Sequence, residues 1–337
     1  MAGALAAFFG SPLGGSLFAL EVCSRFGVEY YEHTLEAILC GEITLTVFRT
    51  LSQSPPSAIW MITSLENKLV AAYPIYILYG AMIGLLGATI SSIFGYFHKN
   101  FVMSTMIKYH FMDRHNTVRR ALVGASLFMV VGILVPQTFF WSEEEFQNIA
   151  TMDSIDKFPH IWPAISITGF EMHNFITALT VGVAKLLTIS ASIAGGFRGG
   201  VIFPLFASGA AFGRALHTLC PYIPVQVCVL CFAAAIQVPI TRTALSTSIV
   251  LTYLSGEPQA LAAILAAALV SLFCTVNTPV LIMTQTPRLD LESSIHHHSA
   301  LSSPFIVSNK KADNSRMINV GSDTTSGSSP MRLDTSV

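Results

Sequence analysis

The chain is 337 residues long, and 52% of its residues are hydrophobic whereas only 11% carry charge. Because soluble globular proteins contain about 25% charged residues, this composition excludes an ordinary soluble domain and indicates a protein that lies in lipid. The net charge of -1 also argues against a nucleic-acid-binding surface, which requires clustered Lys and Arg residues.

Long uncharged runs recur along the chain. A helix needs about 20 apolar residues to cross the hydrocarbon core of a bilayer. Five uncharged runs are long enough, namely 1–20, 69–97, 121–141, 215–241 and 258–287. Several of them contain Pro or Gly, which predicts broken or tilted helices. The sequence therefore predicts an all-α, polytopic membrane protein.

The charges between these runs predict the side of the membrane on which each loop lies. Residues 98–120 contain five Lys and Arg residues and one Asp, a bias that is typical of a cytoplasmic loop. Residues 141–158 are acidic and follow a single predicted crossing. We therefore expect them on the opposite side.

A glycine-rich segment, GGVIFP, predicts the start of a helix at residues 199–204. Pro204 has a fixed φ and no N–H group, so it fits the first turn of a helix, and the glycines before it allow a close approach of the backbone to a ligand. The unpaired amides at a helix amino end can bind an anion. Alternatively, the small residues around this segment, such as Gly209 and Gly213, serve only for close helix packing.

Other kinds of site are not predicted. No Lys follows the glycines in the pattern G-x-x-x-x-G-K-[ST], which argues against a nucleotide site. Cys228 and Cys231 form a C-x-x-C motif in apolar surroundings, and no second Cys or His pair stands near them. We therefore expect no metal, no cofactor and no enzymatic activity.

Two distant segments share a pattern. Residues 10–22 (GSPLGGSLFALEV) and 237–249 (QVPITRTALSTSI) each place a Pro and then an aliphatic residue at the head of a long apolar segment. Such internal similarity is typical of transporters built from two repeats, in which the substrate site lies between the halves. After this region the composition becomes polar, so we predict a membrane domain at 1–285 and a disordered tail at 286–337.

Together, GGVIFP followed by SGAAFG, the early GSPLGGSLFALEV and the later IQVPITRTALSTSIVL resemble the CLC family of chloride channels and anion/proton exchangers. The resemblance covers residues 1 to about 285. It implies an all-α domain of two inverted repeats, assembled as a homodimer in the bilayer, with chloride as the transported ion. It also implies that the amides of Val201 and Ile202 point at the anion and that Gly199, Gly200, Phe203 and Pro204 shape the loop.

The sequence also departs from the family pattern. The G-S-G-I-P and G-R-E-G-P loops of the first repeat do not occur, so we expect a domain that lacks its first helices. Leu281 occupies the place at which the resemblance puts a pore Tyr. Arg198 raises the local potential for an arriving anion or extends to the interface. Lys185, within an apolar segment, has either a partner in the helix bundle or a role for the anion.

One pair of residues distinguishes channels from exchangers in the family. Exchangers generally carry two consecutive acids where this chain has Glu21 and Val22. Val22 cannot carry a proton, so the resemblance predicts passive chloride transport, with Glu21 as a structural acid. Two alternatives stay open at this point, a proton-coupled antiporter and a non-conducting CLC-like protein that acts as a partner subunit.

Overall fold

The structure of the protein is a computed structural model that describes residues 1–23, 28–53, 59–60, 62, 69, 74–109, 116–139, 141–151, 174–197 and 199–276. Within these ranges every regular element is a helix. The α-helices are α1 (Ala2–Phe9), α2 (Pro12–Cys23), α3 (Val28–Ser52), α4 (Pro74–Phe97), α5 (Ser104–Lys108), α6 (Thr117–Leu134), α7 (Glu143–Thr151), α8 (Phe175–Gly195), α9 (Ile202–Leu219), α10 (Val225–Thr241), α11 (Ala244–Ser255) and α12 (Leu261–Cys274). The prediction of an all-α protein is confirmed.

Three helical stretches are long and apolar enough to cross a membrane, namely Pro74–Lys108, Thr117–Leu134 and Phe175–Gly195. The first of them joins α4 to α5 through a π-helical turn at His98–Met103. Several further apolar helices are shorter, as in transporters whose membrane domains contain interrupted helices. The protein is a multi-pass membrane protein.

Two of the predicted uncharged runs are not single crossings. Run 1–20 is divided between α1 and α2, because Gly10 adopts a left-handed conformation with a φ of 62° and Pro12 begins a new helix. Run 215–241 is divided between the end of α9 and the whole of α10, and the segment between these helices contains two prolines. Helix α8 is not among the predicted uncharged runs, because Lys185 lies in its middle.

Helix α10 forms the centre of the bundle, and every one of its residues from Gln226 to Thr241 is buried. Small residues allow its neighbours to approach closely. A Cβ atom on Gly209 of α9 would lie 2.7 Å from the backbone nitrogen of Ala233, and one on Gly213 would lie 2.6 Å from the carbonyl oxygen of Cys228. Such small-residue contacts are typical of helix packing in membranes. The packing role predicted for Gly209 and Gly213 is therefore confirmed.

The two segments with the shared sequence pattern contact each other. The carboxylate of Glu21 in the first segment accepts a hydrogen bond from the backbone amide of Ser246 in the second, over 3.0 Å. Pro12 begins α2 as its pattern predicts. The prediction that the second proline also begins a helix is wrong, because Pro239 lies inside α10, which ends at Thr241. The next helix starts only after Arg242 has adopted a left-handed conformation with a φ of 62°.

Some predictions fall outside the described residues. They concern Arg198, Leu281 and the polar tail at 286–337. The boundary between the membrane domain and this tail, and the side of the membrane assigned to each loop, stay predictions.

Candidate functional site

The amino end of α9 lies where the glycine segment predicts it. Val201 precedes the first helical residue, Ile202, and the amide of Leu205 donates to the carbonyl of Val201 over 3.1 Å. Pro204 is the third residue of the helix and has no N–H group. A helix leaves the amides of its first turn without helical partners, and those of Val201, Ile202 and Phe203 have no other partner within the described part of the chain. This helix end can therefore donate to an anion.

The loop before α9 borders open space. Gly196 ends α8 in a left-handed conformation with a φ of 85°. Gly199 and Gly200 are exposed, and a Cβ atom on either would meet no atom of the described residues within 4 Å, apart from its immediate neighbours in the chain. The glycines therefore leave the backbone accessible to a ligand, rather than making room for a neighbouring helix.

A cavity of about 320 Å³ lies beside this loop. One wall comes from α8 and the other from the loop and the first turn of α9, and aromatic side chains of α6 and of the segment before α7 complete it. The lining residues are Phe128, Trp141, Lys185, Thr188, Ile189, Ser192, Ile193, Phe197, Gly199, Gly200, Val201 and Pro204. Four of the residues that the sequence predicts for an anion site are thus at its surface.

The ring of Phe203 is packed into a group of aromatic side chains. Phe203 is buried, and its ring centre lies 5.3 Å from that of Phe8, 5.7 Å from that of Trp141 and 5.9 Å from that of Trp60. Contacts of this kind stabilise the position of an aromatic ring. The ring therefore fixes the first turn of α9, while the backbone of that turn is left for a ligand.

Lys185 brings a buried positive charge to the same cavity. Its side chain is only 3% exposed, and its Nζ atom donates to the carbonyl of Thr138 over 2.9 Å and to that of Phe139 over 3.2 Å. The carboxylate of Glu145 is close enough to attract this ammonium group. Lys185 thus has the bundle partners that the sequence left open, and it also lines the cavity.

Glu21 and Val22 lie at the end of α2, away from the lining of this cavity. The carboxylate of Glu21 is buried and accepts hydrogen bonds from the backbone amide of Ser246, over 3.0 Å, and from the Ser246 hydroxyl. Ser246 is in the first turn of α11, so Glu21 caps that helix from another part of the chain. Val22 is partly buried against the apolar core.

The chain is similar to known proteins in sequence and in fold. The sequence model of the voltage gated chloride channel family matches residues 1–275. The YfeO proteins of Escherichia coli and Escherichia fergusonii, whose names mark them as candidate ion-transport proteins, are 27% identical over 128 residues, which is 38% of this chain and 26% of theirs. The chain thus spans about a quarter of the length of these curated relatives.

A crystal structure of a CLC-type fluoride/proton antiporter has a similar fold. The TM-score is 0.61 and the identity is 21%, over 85% of this chain and 63% of that chain. At this identity the likeness concerns the fold alone. The family match, by contrast, extends over well more than half of the chain, and it includes the glycine loop, α9 and the segment that ends in Glu21 and Val22. The protein therefore belongs to the voltage-gated chloride channel family, the CLC family.

Proposed function

We propose that the protein carries chloride or a similar small anion passively across the membrane. The observation that carries this proposal is the open amino end of α9 beside a cavity, in a member of this family. The unpaired amides provide hydrogen-bond donors without a full charge, and the bundle crosses the membrane. A transport role also accounts for the site better than catalysis, because the described residues of its lining offer no pair of groups suited to acid–base chemistry.

In this proposal the anion enters the cavity and accepts hydrogen bonds from the amides of Val201 and Ile202. Gly199 and Gly200 let it approach the backbone, while Phe203 and Pro204 hold the turn in place. Lys185 adds a positive potential from the cavity wall. Because no charged side chain needs to contact the ion directly, binding stays weak enough for the ion to leave, as conduction requires.

Passive transport is proposed because Val22 has no ionisable group. The antiporter alternative draws on the likeness to a fluoride/proton antiporter, which is a likeness of fold. It would need a proton route that avoids position 22. Glu21 does not offer an obvious one, because its carboxylate already caps α11.

A homodimer is the assembly that we propose. Helix α3 presents a row of apolar side chains at helical spacing, and Leu35, Leu39, Ile43 and Leu51 are between 62% and 80% exposed. Such a face is covered either by lipid or by a second copy. A non-conducting partner subunit is the remaining alternative.

Chloride efflux from liposomes tests the proposal. The full chain is reconstituted into vesicles loaded with potassium chloride, valinomycin is added to balance charge, and released chloride is measured with an electrode. Passive transport predicts efflux that an imposed proton gradient does not drive. Efflux with stoichiometric proton uptake would favour the antiporter, and vesicles that retain chloride as protein-free vesicles do would favour the non-conducting subunit.

A matched pair of variants links the efflux to the amides. Val201→Pro removes one N–H group from the site, and Gly200 before it has no side chain to clash with the proline ring. Val201→Ala shortens the same side chain but keeps the N–H group. We expect slower efflux for V201P than for V201A at equal amounts of folded protein. Equal rates would argue against an anion site at this helix end.

A further inference from the structure

The side-chain amide of Gln237 has no hydrogen-bond partner among the described residues. It is completely buried in α10, and neither its Oε1 nor its Nε2 atom has a hydrogen-bond partner within the described residues. Buried polar atoms in folded proteins are nearly always paired with protein, water or a ligand. Nearby hydroxyl groups are paired, since Ser271 donates to the carbonyl of Ala235 over 2.6 Å and Ser91 to that of Ile236 over 3.3 Å. Gln237 is thus the exception on this part of the helix.

The packing of α10 against α9 shows where Gln237 lies. Gly213 of α9 is opposite Cys228 and Val229, and Gly209 is opposite Ala233, so the two helices run antiparallel. Residues four apart lie on the same face of a helix. One turn further along, this register places Gln237 opposite Leu205, on the face of α10 that contacts α9. Leu205 is in the first turn of α9, directly after Pro204.

From this register we expect Gln237 to lie near the amino end that the proposed function assigns to the anion. The helix end and the side chain are independent observations, because one concerns amides of α9 and the other a carboxamide of a different helix. Both offer N–H groups that lack a partner within the described residues. One anion could accept hydrogen bonds from both.

We propose that Nε2 of Gln237 donates a hydrogen bond to the anion held at the amino end of α9. The carboxamide supplies a side-chain donor next to the backbone amides of Val201 and Ile202, and its Oε1 atom accepts from a water molecule that accompanies the ion. A neutral amide does not titrate, so this contact has the same strength across the ordinary pH range. The inference rests on the proposed function and names a further binding residue for it.

Chloride binding by the purified full chain tests the inference. Titration of chloride against the thermal unfolding temperature gives the Kd, because a ligand stabilises the state that binds it. Gln237→Leu removes the carboxamide at similar volume, and we expect the Kd to rise about tenfold or more, as for the loss of a hydrogen bond to a charged group. Without chloride, Q237L should unfold at the same temperature as the wild type or higher, since two unpaired polar atoms are removed.

Gln226 provides the matched control. It is also a buried glutamine of α10, but it lies at the opposite end of the helix and has an interaction partner. Gln226→Leu should therefore lower the unfolding temperature and leave the Kd for chloride unchanged. If Q237L instead has a lower unfolding temperature and an unchanged Kd for chloride, the inference is overturned, because Gln237 would then be a structural residue.

A second variant guards against a Q237L protein that does not fold. Gln237→Glu keeps the size and polarity of the side chain but places an ionisable acid beside the anion. We expect its chloride affinity to be lost at neutral pH and partly restored when acid protonates the carboxyl group. Unchanged affinity at neutral pH would contradict the inference. If the wild type neither binds nor releases chloride, the proposed function itself fails. If the wild type binds chloride and both Q237L and Q237E bind it equally well, only the role proposed for Gln237 is refuted.

Discussion

Replacement of Lys185 by Met tests whether a buried charge acts on the anion. Methionine fits the apolar surroundings of the Lys185 side chain and removes the ammonium group. The carbonyls of Thr138 and Phe139 would lose a donor, so some loss of stability is expected, of about 1–3 kcal/mol. The change in the free energy of chloride binding is a separate quantity.

The size of that effect can be worked out from the cavity. A volume of about 320 Å³ corresponds to a sphere roughly 8 Å across, so an anion in the cavity lies within about 8 Å of the lining charge. At an effective dielectric constant of about 20, two unit charges at this separation attract by about 2 kcal/mol. Glu145 opposes part of this attraction. We therefore expect Lys185→Met to weaken chloride binding by about 5-fold to 30-fold.

Efflux at a series of chloride concentrations measures this change as a shift of the half-saturating concentration. Lys185→Arg keeps the positive charge and the ability to donate to both carbonyls, so it should stay close to the wild type. A folded K185M protein with wild-type half-saturation would refute the electrostatic reasoning. Lys185 would then only connect α8 to the segment after α6.

Two other features of the structure can be tested by thermal unfolding of the purified protein. Gly209→Ala should lower the stability by about 1–3 kcal/mol, because the new Cβ atom would collide with the backbone of Ala233, whereas Gly200→Ala should have no such effect because it meets open space. Similar losses for both variants would contradict this packing argument. Glu21→Ala should cost about 0.5–2 kcal/mol through loss of the cap on α11, and Glu21→Gln should cost less because it keeps an acceptor. An E21A protein as stable as the wild type would show that the cap contributes nothing.

The glycine segment could be predicted from the sequence because its signals are local. Pro204 requires a φ that suits a first helical turn, and the absence of side chains at Gly199 and Gly200 leaves the backbone accessible. Neither property depends on distant parts of the chain. The start of α9 near Pro204 and the glycine loop before it were therefore predictable from the sequence.

Features that depend on tertiary contacts were not predictable in this way. Because Lys185 interrupts an apolar run, the sequence did not predict α8 as a membrane-spanning helix. The carbonyls that accept hydrogen bonds from the ammonium group of Lys185 lie more than forty residues earlier in the chain, so the sequence does not reveal them. The sequence pattern predicts a helix start at Pro239, but α10 continues for two further residues because its packing on all sides holds it in place. The lack of hydrogen-bond partners for the Gln237 side chain depends on residues of other helices, so the sequence alone could not predict it.

The charges of the bundle suit the transport of an anion better than its storage. An ion that is to cross must be attracted into the low-dielectric interior and yet be released. Direct contact with Lys185 would hold an anion strongly, because attraction between unit charges rises steeply as their separation and the surrounding dielectric fall. Its Nζ atom is instead directed to two backbone carbonyls. The ion would then meet neutral amides at contact distance and the full charge only further away, an arrangement that attracts the ion without trapping it.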